Sequence, residues 1–180
     1  MSTEYQSISD KLIAFIQQQQ IFFVGTADSD SRVNVSPKGA DAFRVLGQNR
    51  VVWLNLTGSG NETAAHLLNN NRITIMFCSF SAKPVILRLY GKARAIHPRD
   101  REWPKLSALF EANLGARQIF DVDVDLIQTS CGYQVPLYQF EGQRANLDRW
   151  VENKGEAGIQ DYWQETNRLS IDGKPTGIND

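Results

Sequence analysis

ITIMFCSF, residues 73–80, and VILRLYGKARAI, residues 85–96, follow each other across the four-residue break SAKP. Both are dense in β-branched and apolar residues, the composition of strands at the centre of a sheet. A turn between two such strands sets up local antiparallel pairing. Downstream, VDVDLIQTS (122–130) alternates apolar and polar, so Val122 and Val124 are expected inward and the acids outward. YQVPLYQFE (133–141) alternates as well, and Pro136 assigns it to an edge.

Upstream lie four more strand-like segments. IFFVGTA (21–27) and VNVSPKG (33–39) are joined by the polar turn DSDSR, and AFRVLG (42–47) and RVVWLNL (50–56) by Gly47, Gln48 and Asn49. Helices are expected at 9–19, capped by Ser9 or Asp10, and from about Asn61, buried through Ala65 and Leu68. A third over 101–115 would bury Leu106, Leu109, Phe110 and Leu114. Two more span 142–155 and 159–169, before a turn-rich tail, SIDGKPTGIND (170–180). Six to eight short strands with peripheral helices and no linker describe a mainly β fold, a small barrel in one domain (1–180), with 141–180 as a helical C-terminal extension.

The composition excludes several functions. With 19 basic and 20 acidic residues interspersed, nothing marks a nucleic-acid or anionic-membrane surface. No apolar run nears the roughly 20 residues of a membrane span, and the polar, acid-bearing N-terminus is not a secretory signal. Cys78 and Cys131 lack a CxxC spacing and sit in apolar strand-like segments. Both are expected as buried thiols in a reducing compartment, hence a cytoplasmic protein. An EF-hand starting at Asp121 would need Gly and Glu where Leu126 and Gly132 stand. The two histidines, His66 and His97, have no second ligand at metal spacing, so no metal site is expected. No GxSxG is present, and no side chain stands out as an acid or base, Tyr90 and His66 being weak candidates better read as structural.

Two stretches carry chemistry. In RVNVSPKG (32–39), Val33, Val35 and Pro37 alternate with Asn34, Ser36 and Lys38, so one face suits a core and the other either solvent or a phosphate-bearing ligand. In TGSGNET (57–63), glycines let backbone N–H groups approach a ligand, and Thr57, Ser59, Asn61 and Thr63 offer short polar groups before a helix N-terminus. The same letters also spell an ordinary capped helix, with Ser59 or Asn61 as cap and Glu62 closing a capping box. Arg88, inside an apolar strand, needs an anionic partner if buried. If the chain is an enzyme, a cofactor is expected to carry the chemistry.

Lys38 closing a polar-faced strand, the hairpin, TGSGNET entering a helix, NNNRITIMF and a strand with LYGKA make an order that resembles the pyridoxamine 5′-phosphate oxidase-like family over about residues 9–130. The ending, with LDRWVENKG and SIDGKPTG, resembles a branch other than the oxidase itself. The resemblance implies a six-stranded antiparallel split barrel of FMN-binding type, with FMN in a groove at a homodimer interface. It implies Lys38 on the phosphate or ring, Asn34, Val35, Ser36 and Pro37 beside the isoalloxazine, and Thr57, Ser59, Asn61 and Thr63 around the phosphate.

The sequence departs from the oxidase pattern at several positions. Thr63 stands in place of a loop lysine, Asn61 in place of a serine and about Ile86 in place of a flavin-contacting glutamine. Fewer cations would then face the phosphate, so either its affinity is lower or Arg88 compensates. NRLSID (167–172) lacks the histidine of the oxidase's substrate element, which argues against pyridoxamine phosphate as substrate. The implied function is a flavin-dependent oxidoreductase acting on a small substrate or electron donor. The alternatives are a non-catalytic flavin-binding or redox-sensing module, or a split barrel using haem or a deazaflavin.

Overall fold

The computed structural model describes residues 2–178; Asn179 and Asp180, read as the end of the tail, lie outside them. Eight strands form one antiparallel sheet. They are β1 (Ser2–Tyr5), β2 (Phe22–Thr26), β3 (Asn34–Lys38), β4 (Phe43–Gly47), β5 (Arg50–Leu56), β6 (Arg72–Cys78), β7 (Ile86–Ile96) and β8 (Ala116–Ser130). The order is β3-β2-β6-β7-β8-β5-β4. The two quoted segments, β6 and β7, are central, as their composition demands. One edge of the long β8 is shared, with β5 pairing along Ala116–Asp123 and β1 along Ile127–Ser130. The polar Ser2–Tyr5 becomes a strand because that edge offers unpaired backbone groups, not through any pattern of its own. At the hand-over the β7–β8 ladder bulges past Tyr90, and only glycine fits next, since a Cβ on Gly91 would lie 2.1 Å from the Asp123 carbonyl oxygen.

The sheet curls around a core of Phe22, Val24, Trp53, Ile75, Phe77, Leu87, Leu89 and Phe120. No ladder joins β4 to β2; Phe43 and Phe22 meet edge-on at 5.1 Å instead, both against Phe77. The barrel is therefore split, and apolar packing closes it. Helix α1 (Asp10–Gln17) plugs it with Leu12 and Ile16. Helix α2 (Glu62–Asn69) buries Thr63, Ala64, Ala65 and His66, while Leu68 points to solvent, contrary to expectation.

Three further expectations are corrected. The third helix, α3 (Trp103–Ser107), is only five residues long, and Leu109 and Leu114 are exposed. Residues 133–141 form no strand: beyond one bond from the Tyr138 N–H to the Phe80 carbonyl (3.0 Å), just past β6, they make no ladder. Cys78 is buried, but Cys131 is exposed. Helix α4 (Asn146–Thr166) breaks at Gly155 (φ 65°), near the anticipated boundary between two helices. Its second half and the following tail pack through Ile159, Trp163 and Ile178, with Val151 of the first half. Among the described residues, no helix is long and apolar enough to cross a membrane.

Candidate functional site

Strand β3 is turned over relative to its hydrophobic pattern. Its register places Lys38 opposite Phe22, Ser36 opposite Val24 and Asn34 opposite Thr26, and all three β2 partners face the core. Asn34, Ser36 and Lys38 therefore point under the barrel rim, while Val33 and Val35 are 73% and 68% exposed. The apolar face looks outward, and the lysine looks in. Just past Lys38 the chain turns sharply through Ala40 (φ 60°) and Asp41 (φ 48°), a left-handed pair without glycine that carries local strain.

Lys38, Pro37, Asn55, Thr57 and Gly58 line one side of a groove of about 900 Å³. That volume is at the upper end of the roughly 300–1,000 Å³ usual for small-molecule sites. The opposite wall includes Phe80 and Tyr138, whose rings lie 5.3 Å apart, and Arg144. Among the described residues, no Asp, Glu, His, Cys or Met lines the groove; Lys38, Lys83 and Arg144 are its charged groups.

Behind Lys38 lies a second cation that sequence reading missed. Arg117, at the start of β8, is 3% exposed. Its guanidinium donates to Asn167 Oδ1 (2.5 Å) and to the Gly60 carbonyl (3.1 Å), and its buried Nε has no partner. Neither acceptor carries charge. Burial pushes Arg117 down to about 10, so it is cationic at neutral pH. Burial, followed by the charge of Arg117, brings Lys38 down to about 8. Among the described residues Lys38 forms no ion pair. Two desolvated cations without a carboxylate cost free energy in the empty protein, and an anionic ligand would recover it.

The glycine loop stands beside them. The capped-helix reading of TGSGNET fails on geometry: Asn61 makes no side-chain cap, and Glu62 accepts from the Ile171 N–H (3.0 Å) rather than closing a box on Ser59. The tail holds the loop instead. Trp163 Nε1 donates to Thr57 Oγ1 (2.9 Å), Asn167 Nδ2 to the Gly58 carbonyl (3.0 Å), and Asn61 Nδ2 to the Asn167 carbonyl (3.4 Å). Among the described residues, the N–H groups of Gly58, Ser59 and Gly60 have no backbone acceptor. Asn61 Oδ1 is buried without a partner.

The ten residues singled out from the sequence thus divide. Pro37, Lys38 and Thr57 line the groove, with Ser59 and Asn61 on the same loop. Asn34 bridges Thr63 Oγ1 (3.1 Å) and Thr26 Oγ1 (3.2 Å), tying β3 to α2. Ser36 faces inward on β3, and Val35 outward. Arg88 is not near the loop. It lies on the outer sheet face, across from Met76 and Gln128, and donates to Ser130 Oγ (3.2 Å). The cation beside Lys38 is Arg117 instead. His66 is fully buried between Thr26 Oγ1 (3.1 Å) and Ser31 Oγ (2.9 Å), away from the groove.

The pyridoxamine 5′-phosphate oxidase family profile matches residues 8–131. The family protein ustO of Aspergillus flavus is 36% identical over 192 residues, spanning 95% of this chain and 76% of that protein. Among solved structures, HupZ from Group A Streptococcus superposes with a TM-score of 0.53 at 17% identity, over 66% of this chain and 91% of that one. An FAD-binding protein from Mycobacterium smegmatis gives a TM-score of 0.50 at 14% identity, over 67% of this chain and 91% of that one.

Proposed function

The chain belongs to the pyridoxamine 5′-phosphate oxidase family, and on that premise we propose that it is an FMN-binding, homodimeric oxidoreductase of a small substrate. One observation carries the reading: Lys38 and Arg117 are desolvated together, uncompensated, at a loop whose amides are open. The donor set suits a phosphate monoester, because two cations and several N–H groups can share its oxygens. Lys38, Arg117 and the amides of Gly58, Ser59 and Gly60 would hold the phosphate. Pro37 and Asn55 would border the ring. Asn34 would act through Thr26 and Thr63 by fixing β3. When bound, FMN supplies hydride or electron transfer at its ring, and the chain contributes anchoring and a shaped groove. Of the side-chain types that ordinarily ligate haem iron, the described groove residues offer Tyr138 and no His, Cys or Met, which favours flavin over haem.

The outer face of β3 supports the dimer. Val33 and Val35 are exposed at the sheet edge, beside the row Pro37, Phe23, Met76 and Arg88 that crosses β3, β2, β6 and β7. A second copy seated there would cover these side chains and bring its own Arg88 towards the shared surface.

Purified protein should show the flavin bands near 370 and 450 nm (roughly, as for any flavin), and the released ligand should have the mass of FMN. Lys38→Ala should lower its occupancy. A haem Soret band, or a deazaflavin mass, would replace the cofactor assignment. One observation also favours a carrier or sensor without turnover: among the described residues, no carboxylate or imidazole faces the groove to move a proton. NAD(P)H oxidation above the rate of free flavin would separate the enzyme from the carrier.

A further inference from the structure

Arg117 is held by a neutral group where a buried guanidinium would ordinarily meet a carboxylate. That group is Asn167, itself 0% exposed, fifty positions away in sequence at the end of α4. Its side chain does two things at once. Oδ1 accepts from Arg117, and Nδ2 donates to the Gly58 carbonyl of the glycine loop. Aspartate has nearly the same shape and would bind the guanidinium more strongly, but it would cancel the charge and could not donate to Gly58.

The backbone of Asn167 is fixed just as firmly. Its carbonyl accepts from Thr176 Oγ1 (2.7 Å) and from Asn61 Nδ2 (3.4 Å), and its N–H donates to the Trp163 carbonyl (3.0 Å). The charge of Arg117 acts on Lys38, and Tyr162 acts on Arg117; no Asp or Glu acts on either.

We infer that Asn167 is a positioning residue whose neutral amide aligns Arg117 with the glycine loop while leaving the guanidinium charge free for a phosphate-bearing ligand. The C-terminal segment thereby completes an anion site built mostly from residues more than a hundred positions earlier. The inference rests on the cofactor reading only for the identity of the ligand, FMN.

Two variants test it, because they separate stability from binding. Asn167→Ala removes both bonds but keeps Arg117 charged. Asn167→Asp keeps a bond to Arg117 but neutralises it. Asn167→Asp should melt above Asn167→Ala yet bind FMN more weakly than it, roughly 10- to 100-fold below the wild type. Riboflavin, which lacks the phosphate, should bind wild type and Asn167→Asp alike. A purely structural Asn167 predicts the opposite ranking, with FMN affinity following melting temperature across the series, or FMN and riboflavin lost together; either result overturns the inference. Inorganic pyrophosphate, read by thermal shift, separates the ligand's identity from the role of Asn167. Should the wild type bind no FMN but be stabilised by pyrophosphate while Asn167→Asp is not, the cofactor falls and the role of Asn167 stands. Should pyrophosphate leave the wild type unmoved as well, the inference falls with the cofactor.

Discussion

Strand β8 buries two charges four residues apart and treats them in opposite ways. Asp121 is 6% exposed and meets both Arg50 (2.8 and 2.9 Å) and Arg94 (2.9 Å). Arg117 is 3% exposed and meets only an amide oxygen and a backbone carbonyl. The first cluster is complete. Its two arginines keep solvent access on their far sides, so the pair of cations costs little, and together they hold the Asp121 carboxyl below its usual range. The second is unfinished, and a third charge, Lys38, adds to the imbalance. The contrast separates a closed charge network from the proposed anion site even though burial is similar. The structural network satisfies itself; the other has room for what is missing.

The largest expected effect comes from breaking the closed cluster. Asp121→Ala should lower unfolding free energy by about 2–3 kcal/mol in urea denaturation, less than for a fully buried pair because Arg50 and Arg94 can rehydrate. The same carboxyl fixes a pH limb. Its folded value lies below the unfolded one, so its contribution is present above about pH 4 and is lost as pH falls through the folded value. The variant should therefore show a shallower acid transition.

Arg117→Met attacks the open site and sharpens the contrast. It should reduce FMN affinity by roughly 10- to 100-fold in equilibrium dialysis while shifting stability less than Asp121→Ala does.

A milder effect follows from Lys38. Its folded value of about 8 lies below the unfolded 10.5, so the charged form is disfavoured by folding. From this residue, the stability of the ligand-free protein should rise between pH 8 and 10.5. FMN affinity should fall as pH rises above about 8, by at most about tenfold per pH unit, and Lys38→Met should abolish that slope. The smallest effect on the isolated chain is expected from Val35→Ser, within about 0.5 kcal/mol, because the side chain is exposed. Sedimentation should nonetheless show weaker self-association.

The central strands and their core are legible because β6 and β7 carry enough β-branched residues to declare themselves, and Ile75, Leu87 and Leu89 lie where their pattern puts them. What the letters do not reveal is which face of an edge strand turns inward. Alternation in β3 defines two faces, but only the register with β2 decides that Lys38, not Val35, goes under the rim. Arg117 was hidden for a different reason. In ARQIF it looks like any residue after a helix-ending glycine, and its burial depends on Asn167 folding back from a distant segment. Residues 133–141 imitate a strand by alternation alone, which cannot create a ladder partner. Leu109 and Leu114 imitate a helical stripe beyond the point where α3 has already ended.

The inversion of β3 has a consequence for folding. Sliding this edge by one residue would exchange its faces, burying the two valines and expelling the lysine. Hydrophobicity alone favours that misaligned pairing, so the native alignment is locally frustrated. It is secured by the Asn34 amide, which bonds Thr26 and Thr63 only in the correct frame. Removing that amide should populate a slipped edge whose exchange with the native one is visible as slow doubling of the β2 and β3 amide signals.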